Sequence, residues 1–340
     1  MDVMKRVLVI QMKRIGDVVL TAPALASLRR AVPGVEVTVV LAGACGELGP
    51  LLPCGEGALV WRAGGLNAGL IGRVAGGRWD AVLDFTGSDR SALLSIVSGA
   101  GRRVCWEKFA GTWWRRRAWN ERCGASVREL HTIDFHQALV RELVPEAESV
   151  GDAGHLRKPE GVPERLVSGD YVLLHPGTAR AEKFWPAASW VEVLRHVRER
   201  HGMEVVVTGG EGVEEREQVR EMAASGVAFT DLSGKLDLRG LAAVAAGCRL
   251  AVTVDTGVMH LAASWGRPQV ALFGPTNPWH WGPRHGMARV LWGEGGSGLA
   301  EPRHRGVAMA TLPAGRVCGA VDDLLRGPGG QPTLDGCGES

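Results

Sequence analysis

The chain has 340 residues, 45% of them hydrophobic and 22% charged, with a formal net charge of +2; that length suits two domains, and the composition is that of a globular protein rather than a disordered or fibrous one. No stretch approaches the ~20 consecutive apolar residues of a membrane-spanning helix, and the apolar core at 7–10 is too short for a signal peptide. The seven cysteines are scattered with no Cys-x-x-Cys pair, which speaks against a disulfide framework or a zinc site and gives the reducing cytosol as the expected location.

Residues 7–10 read as a first strand. A polar loop over 11–17 follows, then helical spacing over 18–30 with Pro23 in its early part. Residues 35–41 alternate as a second strand and 59–61 as a short third. The Gly-rich stretch 66–77 is weakly helical. Residues 79–85 (Trp-Asp-Ala-Val-Leu-Asp-Phe) are a strand, followed by a turn and a helix from Ser91. Residues 102–106 are a further strand candidate, and 131–143 a helix. The stretch 143–168, rich in Pro, Gly and charge without periodicity, reads as a linker.

The second half repeats the scheme. Strands are expected at 171–175, 204–208, 250–254 and 269–273, with a short extended piece at 227–230. Helices are expected at 189–201, after Gly212, at 238–248, after Gly257 and at 313–326. Residues 293–306 read as loop and 327–340 as a disordered tail. Hydrophobic strands alternating with helices predict an α/β protein with parallel sheets covered on both faces. Two such domains, 1–150 and 169–312, would face a cleft at the carboxyl ends of their strands. Residues 1–150 carry 19 Lys and Arg against 15 Asp and Glu, and 151–340 carry 20 against 22. The first half is therefore the better host for an anionic partner.

Four constellations fall at strand ends. They are Lys13-Arg14-Ile15-Gly16-Asp17, the stretch from Asp84 to Ser91, the stretch from His175 to Pro186, and Asp255-Thr256-Gly257-Val258-Met259-His260. The last is a strand-to-helix turn. Unpaired N–H groups at a helix start carry partial positive charge, Gly257 allows close approach, and Thr256 adds a hydroxyl, which together describe a phosphate site. A plain capping role for Asp255 remains the alternative. No Asp-x-Asp pair or His/carboxylate cluster suited to a cation stands out, so no metal is expected.

Taken together these motifs resemble the family 9 glycosyltransferases, the bacterial heptosyltransferases of lipopolysaccharide core synthesis. The resemblance runs from about Val7 to Arg326. It rests on the strand-x-x-x-Gly-Asp-helix pattern over 7–30, Asp84-x-x-Gly-x-x-Arg-Ser91, His175-Pro-Gly-x-x-x-x-x-Lys-x-Trp-Pro186, Asp255-Thr-Gly-x-Met-His-Leu-Ala-Ala263 and Phe273-Gly-Pro-Thr-x-Pro278. It implies a GT-B fold of two Rossmann-like domains, the first joined by the helix 313–326. It also implies an inverting, metal-independent transfer of heptose from a nucleotide donor, usually ADP-heptose, to a Kdo- or heptose-bearing lipid A core. The donor is a co-substrate, and no cofactor is expected.

The resemblance makes Asp17 the base for the acceptor hydroxyl, with helix capping as the alternative. It makes Lys183 the phosphate-binding lysine, helped by Thr178, Thr256 and Gly257, and puts Asp255 beside the donor sugar or ribose. His260 is a donor-side candidate, although a satisfied core histidine is the commoner case. Met259 either packs or flanks the adenine. Asp231, at a strand end, is a candidate for the ribose hydroxyls. Lys13, Arg14 and Arg90 are acceptor-side candidates. The segment 102–122 interleaves Trp106, Trp113, Trp114 and Trp119 with arginines. There Arg115, Arg116 and Arg117 suit an anionic lipopolysaccharide acceptor, with contact at the inner membrane surface, while an exposed loop with inward tryptophans is the alternative. Nucleic acid is not expected, because no nucleic-acid motif accompanies the basic residues. Two rival readings share the layout: a sugar-nucleotide 2-epimerase, and a nucleotide-binding protein without transfer activity.

Overall fold

A computed structural model describes residues 4–53, 58–159, 161, 167 and 169–326. The N-terminal sheet holds β1 (Arg6–Gln11), β2 (Glu36–Ala42), β3 (Ala58–Trp61), β4 (Ala81–Asp84), β5 (Arg102–Trp106) and β6 (Glu121–Cys123) in the order 3-2-1-4-5-6, all parallel. The second sheet holds β7 (Tyr171–His175), β8 (Glu204–Val207), β9 (Thr230–Asp231), β10 (Leu250–Val254), β11 (Gln269–Phe273), β12 (Ala288–Trp292) and β13 (Gly296–Ser297). Its order is 13-12-11-10-7-8-9, parallel except for the β12–β13 pair. Both sheets thus follow the doubly wound scheme, with the order reversing beside β1 and beside β7. The two-domain, GT-B layout expected from the motifs is present.

The central strands explain why these sequences pair in parallel. In β1, Val7, Leu8, Val9 and Ile10 are all fully buried, as are Leu250, Ala251, Val252 and Val254 of β10. A strand covered by helices on both faces has no solvent side, so it reads as a continuous apolar run rather than an alternation.

Several local expectations shift. The helix expected over 18–30 is two helices, Ile15–Val19 and Ala22–Ala31, with Pro23 in the first turn of the second. Proline lacks the N–H that a continuing helix needs, and the break falls just before it. The same break draws Asp17 out of the expected loop and into the first turn of the short helix. The β12–β13 hairpin occupies part of the 293–306 stretch read as loop. The C-terminal helix Ala314–Arg326 corrects the expected domain plan. Its Val317, Val321 and Leu324 pack into the second core with Val172, Trp190 and Leu272. It therefore belongs to the C-terminal domain, because its apolar stripe matches the outer face of β10 and β11. The tail 327–340 lies outside the described residues.

The expected linker is partly built into the structure. Leu156 is buried, Gly154 N donates to Ser264 O at 2.7 Å, and Arg157 N donates to Leu51 O at 2.8 Å. The domains are also tied by Arg284, whose guanidinium reaches Asp134 Oδ2 at 2.6 Å and Asp152 Oδ1 at 2.8 Å. His131 accepts from Ile133 N through Nδ1, leaving Nε2–H to donate to Gly282 O at 3.0 Å. Glu47 accepts from Leu238 N at 2.8 Å.

The end of β4 shows how an N-terminal strand edge is shaped. The Asp84 carboxylate is fully buried; it accepts from Thr86 N at 2.8 Å, Gly87 N at 3.0 Å and Trp119 Nε1 at 3.0 Å. Burial pushes this carboxyl up to about 6. Its contribution to stability is therefore full below pH 3.8 and is lost as pH rises through about 6. Asp84→Asn is expected to remove that slope, and to cost about 1–3 kcal/mol at neutral pH by turning an N–H donor toward the Trp119 N–H. Denaturant unfolding at pH 4 and pH 7 measures both effects; an unchanged slope would show that Asp84 titrates elsewhere.

Candidate active site

The carboxyl ends of β1, β7, β8 and β10 open onto a cleft of about 620 Å³ between the domains. That lies within the roughly 300–1,000 Å³ of a small-molecule site. Asp17 lines it from the N-terminal side; Thr178, Lys183, Asp255, Thr256 and Gly257 line it from the other.

The two sides meet where side chains are missing. A Cβ on Gly16 would come within 2.7 Å of the His260 ring, and one on Gly257 within 2.7 Å of Ile15 Cγ2. The helix carrying Asp17 therefore seats directly on the start of the helix Gly257–Ser264. Glycine is needed at both positions for close approach, not for an unusual φ.

Asp17 is not a helix cap. Arg14 occupies the cap position, and Asp17 follows three residues later. Burial is the largest influence on its carboxyl and raises it above the usual 3.8, against Lys13, which lowers it. The backbone N–H groups of Arg14 and Asp17 at the helix start also lower it, and desolvation outweighs them, so the carboxyl is more basic than usual.

On the facing side, Asp255 precedes the cap position Thr256, and its carboxylate pairs with a lysine. Its Oδ2 accepts from Lys183 Nζ at 2.7 Å, and its carbonyl accepts from the same ammonium at 3.1 Å. Both side chains are about nine-tenths buried. Two of the three ammonium N–H groups are thereby used and one remains for a ligand. Thr256 stands at the cap position of the helix Gly257–Ser264 but makes no capping bond, so the first-turn amides keep no side-chain acceptor. The buried hydroxyls of Thr256 and Thr276 both lack a partner among the described residues and both line the cleft. Unpaired first-turn amides, two unpartnered hydroxyls and a lysine N–H are what a diphosphate would satisfy.

His260 lines the cleft but is almost wholly buried between Gly16 and Trp281, and burial lowers it to about 4, so it is neutral at physiological pH. His175 is likewise lowered to about 4 by burial and pairs with Thr208 Oγ1 at 2.8 Å.

Other expected residues lie elsewhere. Met259 has no exposed surface and packs with Ala271, Phe273 and Val290; helical spacing turns it to the sheet rather than to an adenine. Asp231 does not line the cleft. It sits on the edge strand β9, and its Oδ1 accepts from Ser233 N at 2.8 Å, closing a turn. Arg14 lines the cleft and is exposed. Arg90 borders a separate recess of the N-terminal domain with Met12, Trp61 and Thr86. Lys13 lies over Trp106. The segment 102–122 divides: Trp106 and Trp119 are core, whereas Trp113 is 73% exposed beside exposed Arg116 and Arg117. Arg115 is held by Asp89, its Nε at 2.8 Å.

Glu215 and Thr276 escaped the sequence reading. Glu215 Oε2 accepts from Gly212 N at 3.4 Å, and its carboxylate fills the space a Cβ would take on Gly177 and Gly210. The signal was present as a glutamate three residues after a Gly-rich strand end, the spacing of a capping box.

Comparison with known proteins agrees with this fold. The model of glycosyltransferase family 9 (heptosyltransferase) matches residues 69–300. Lipopolysaccharide heptosyltransferase 1 of Pseudomonas aeruginosa is 33% identical over 298 residues, covering 80% of this chain and 79% of that protein. The chain belongs to glycosyltransferase family 9. Family 9 folds of the same shape include a glycosyl transferase family 9 protein from Veillonella parvula, with a TM-score of 0.80 at 23% identity over 96% of this chain and 98% of that one. They also include the E. coli ADP-heptose lps heptosyltransferase II, with a TM-score of 0.77 at 22% identity over 94% and 98%. The protein is thus a glycosyltransferase of GT-B fold.

Lys183→Ala is expected to weaken ADP binding by about 10–100-fold, the loss of a charge-assisted hydrogen bond together with an unpaired Asp255. Titration calorimetry measures it; unchanged affinity would remove Lys183 from the phosphate site.

Proposed function

We propose that this family 9 enzyme transfers heptose from ADP-heptose, with inversion and without a metal, to a Kdo or heptose unit of the lipopolysaccharide inner core. Membership of the family and the activity named for the Pseudomonas aeruginosa relative support the reaction class. The observation that supports the assignment of roles is the cleft itself, with a desolvated carboxylate on one wall and Lys183, Thr256 and a helix start without a side-chain cap bond on the other.

In this reading Asp17 takes the proton of an acceptor hydroxyl. The oxygen attacks the anomeric carbon from the face opposite the diphosphate. The bond from that carbon to the phosphate oxygen breaks, and ADP leaves with the electron pair. Lys183, the amides at Gly257 and Val258, and the Thr256 hydroxyl stabilise the charge that develops on the leaving group. Asp255 orients Lys183 and presents its remaining carboxylate oxygen to the donor. Glu215, in its glycine cradle, is available to ribose hydroxyls.

The metal-independent part of the proposal rests on this cationic and amide lining. Among the described residues, the group of three with metal-ligand spacing is His196, His201 and Asp322, on the helices Ala187–His201 and Ala314–Arg326 and outside the cleft lining. We further infer that the enzyme works at the cytoplasmic face of the inner membrane, where Trp113, Arg116 and Arg117 can contact anionic lipid. No helix of the described residues is long and apolar enough to cross a membrane.

Incubation with ADP-heptose and a panel of truncated core lipids, with mass and NMR detection of product, tests the proposal. The expected product carries one added heptose of inverted anomeric configuration, in the presence of EDTA. Asp17→Asn is expected to lower kcat by about 10²–10⁴-fold while leaving ADP affinity in place. Wild-type kcat is expected to rise as pH passes up through the raised Asp17 value, because the base must be ionised. Turnover of the donor alone to an epimer would favour the epimerase reading; near-normal turnover of Asp17→Asn would exclude Asp17 as the base.

A further inference from the structure

Beside Asp17, outside the donor cleft, two ammonium groups share one aromatic floor. Lys13 follows β1 and Lys108 follows β5, so both stand beyond the carboxyl ends of the N-terminal sheet. Lys13 Nζ is 5.3 Å from the Trp106 centroid and 5.8 Å from that of Phe109. Lys108 Nζ is 5.8 Å from Trp106, 4.8 Å from Phe109 and 4.7 Å from Phe135. The floor is rigid. Trp106 and Phe135 stack at 4.3 Å with their planes 8° apart. Phe109 lies where a Cβ on Gly87 would fall, and Gly87 has φ +69°. A side chain at Gly87 would displace the floor, which gives that glycine of the Asp84-x-x-Gly87 motif a physical reason.

Lys13 is half-buried and Lys108 is exposed. Lys183 and Lys235 both donate to protein acceptors. Neither Lys13 nor Lys108 has an ion pair or a hydrogen-bonded acceptor for its ammonium among the described residues. Burial and the charge of Lys13 together push the Lys108 ammonium below its usual 10.5. The aromatic faces offset part of this cost. An arrangement of two like charges on an apolar floor is completed by an anion between them.

We propose that Lys13 and Lys108 form a socket for an anionic group of the acceptor sugar, held next to the hydroxyl that Asp17 deprotonates. This rests on the glycosyl-transfer reading above. The socket belongs to the acceptor because it lies on the N-terminal side, whereas the unfilled amides and hydroxyls of the donor site lie on the other. The chemistry it takes is a carboxylate of an acid sugar or a phosphate on a neighbouring sugar; an ammonium is a point charge and accommodates either.

Filling the socket has a consequence for the base. Lys13 is the positive charge that lowers Asp17 most. An anion paired with Lys13 offsets that charge, so Asp17 becomes more basic only when an acceptor bearing the anion is seated. The site would then favour proton transfer from the correct acceptor over proton transfer from water.

The full-length enzyme and Lys108→Met, which keeps the apolar length of the side chain, are compared on three core acceptors: one with a free carboxylate, its methyl ester, and a phosphorylated one without the carboxylate. With the wild type, removing the anion is expected to lower kcat/KM by about tenfold or more, the loss of one charge-assisted contact. It is also expected to shift the acidic limb of kcat to lower pH. Lys108→Met is expected to lose a similar factor on the anionic acceptor and little further when the anion is removed, with ADP affinity unchanged by calorimetry. Dependence on Lys108 with the carboxylate or the phosphorylated acceptor supports the socket and names its anion. Equal losses on masking in both proteins, or a Lys108→Met enzyme as fast as wild type on every acceptor, would overturn it. Lys13→Met provides the same test if Lys108→Met fails to fold. A wild type that binds ADP but transfers to no acceptor overturns the transfer reading and the socket with it.

Discussion

The active cleft depends on two positions without side chains. Gly16 and Gly257 let the short helix of Asp17 seat directly on the Asp255-Thr256-Gly257 turn. A methyl group at either would drive against His260 or Ile15, and close-packed contacts between rigid elements do not yield smoothly. This contact brings Asp17 from one sheet and Lys183, Thr256 and a helix start from the other to a common space. The interdomain ties at Arg284, His131 and Glu47 hold the same approach from outside the cleft.

Once the walls are close, electrostatics gives them different roles. Asp17 is desolvated, makes no ion pair among the described residues and is more basic than a free carboxylate. Asp255 is as well buried but shares a proton-rich partner, Lys183, at 2.7 Å. The same side-chain type is thus free of an ion pair on one side, among the described residues, and paired with a lysine on the other. A buried Lys–Asp pair contributes little net stability, because desolvation offsets its Coulomb attraction. Its value here is geometric: Asp255 fixes where the third N–H of Lys183 points.

The N-terminal half builds its strand ends around aromatic rings rather than around phosphate-binding amides. Trp106, Phe109, Phe135 and Trp119 crowd the ends of β4 and β5, and Asp84 is the buried acceptor that fixes the turn between them. A sugar ring with an acidic group presents an apolar face and a charge, and this floor with its two lysines offers the complement. The C-terminal half, with its glycines and open helix start, suits a nucleotide diphosphate. The division of labour follows from side-chain chemistry at equivalent places in two similar sheets.

How much of this could be read from residues alone varies with the kind of interaction. The strands of both sheets were readable, because parallel strands buried on both faces write themselves as apolar runs such as Val7–Ile10 and Leu250–Val254. The turns at Gly16-Asp17 and Asp255-Thr256-Gly257 were readable because glycine and small polar residues at strand ends have few other uses. The motif left Met259 between packing and the adenine and put Asp231 near the ribose, because a motif gives order along the chain but not the direction of a side chain. Helix rotation turned the first inward, and strand order put the second on an edge. The C-terminal helix was assigned to the wrong domain because an apolar stripe does not name the surface it covers. Order along the chain thus determined the fold class, the paired domains and most of the residues at strand ends. Only the tertiary structure decided that Asp17 is desolvated rather than capping, that Lys183 is paired with Asp255, and that Lys13 and Lys108 converge. Each of these depends on distances between residues far apart in the chain, and burial and Coulomb energies are set by those distances.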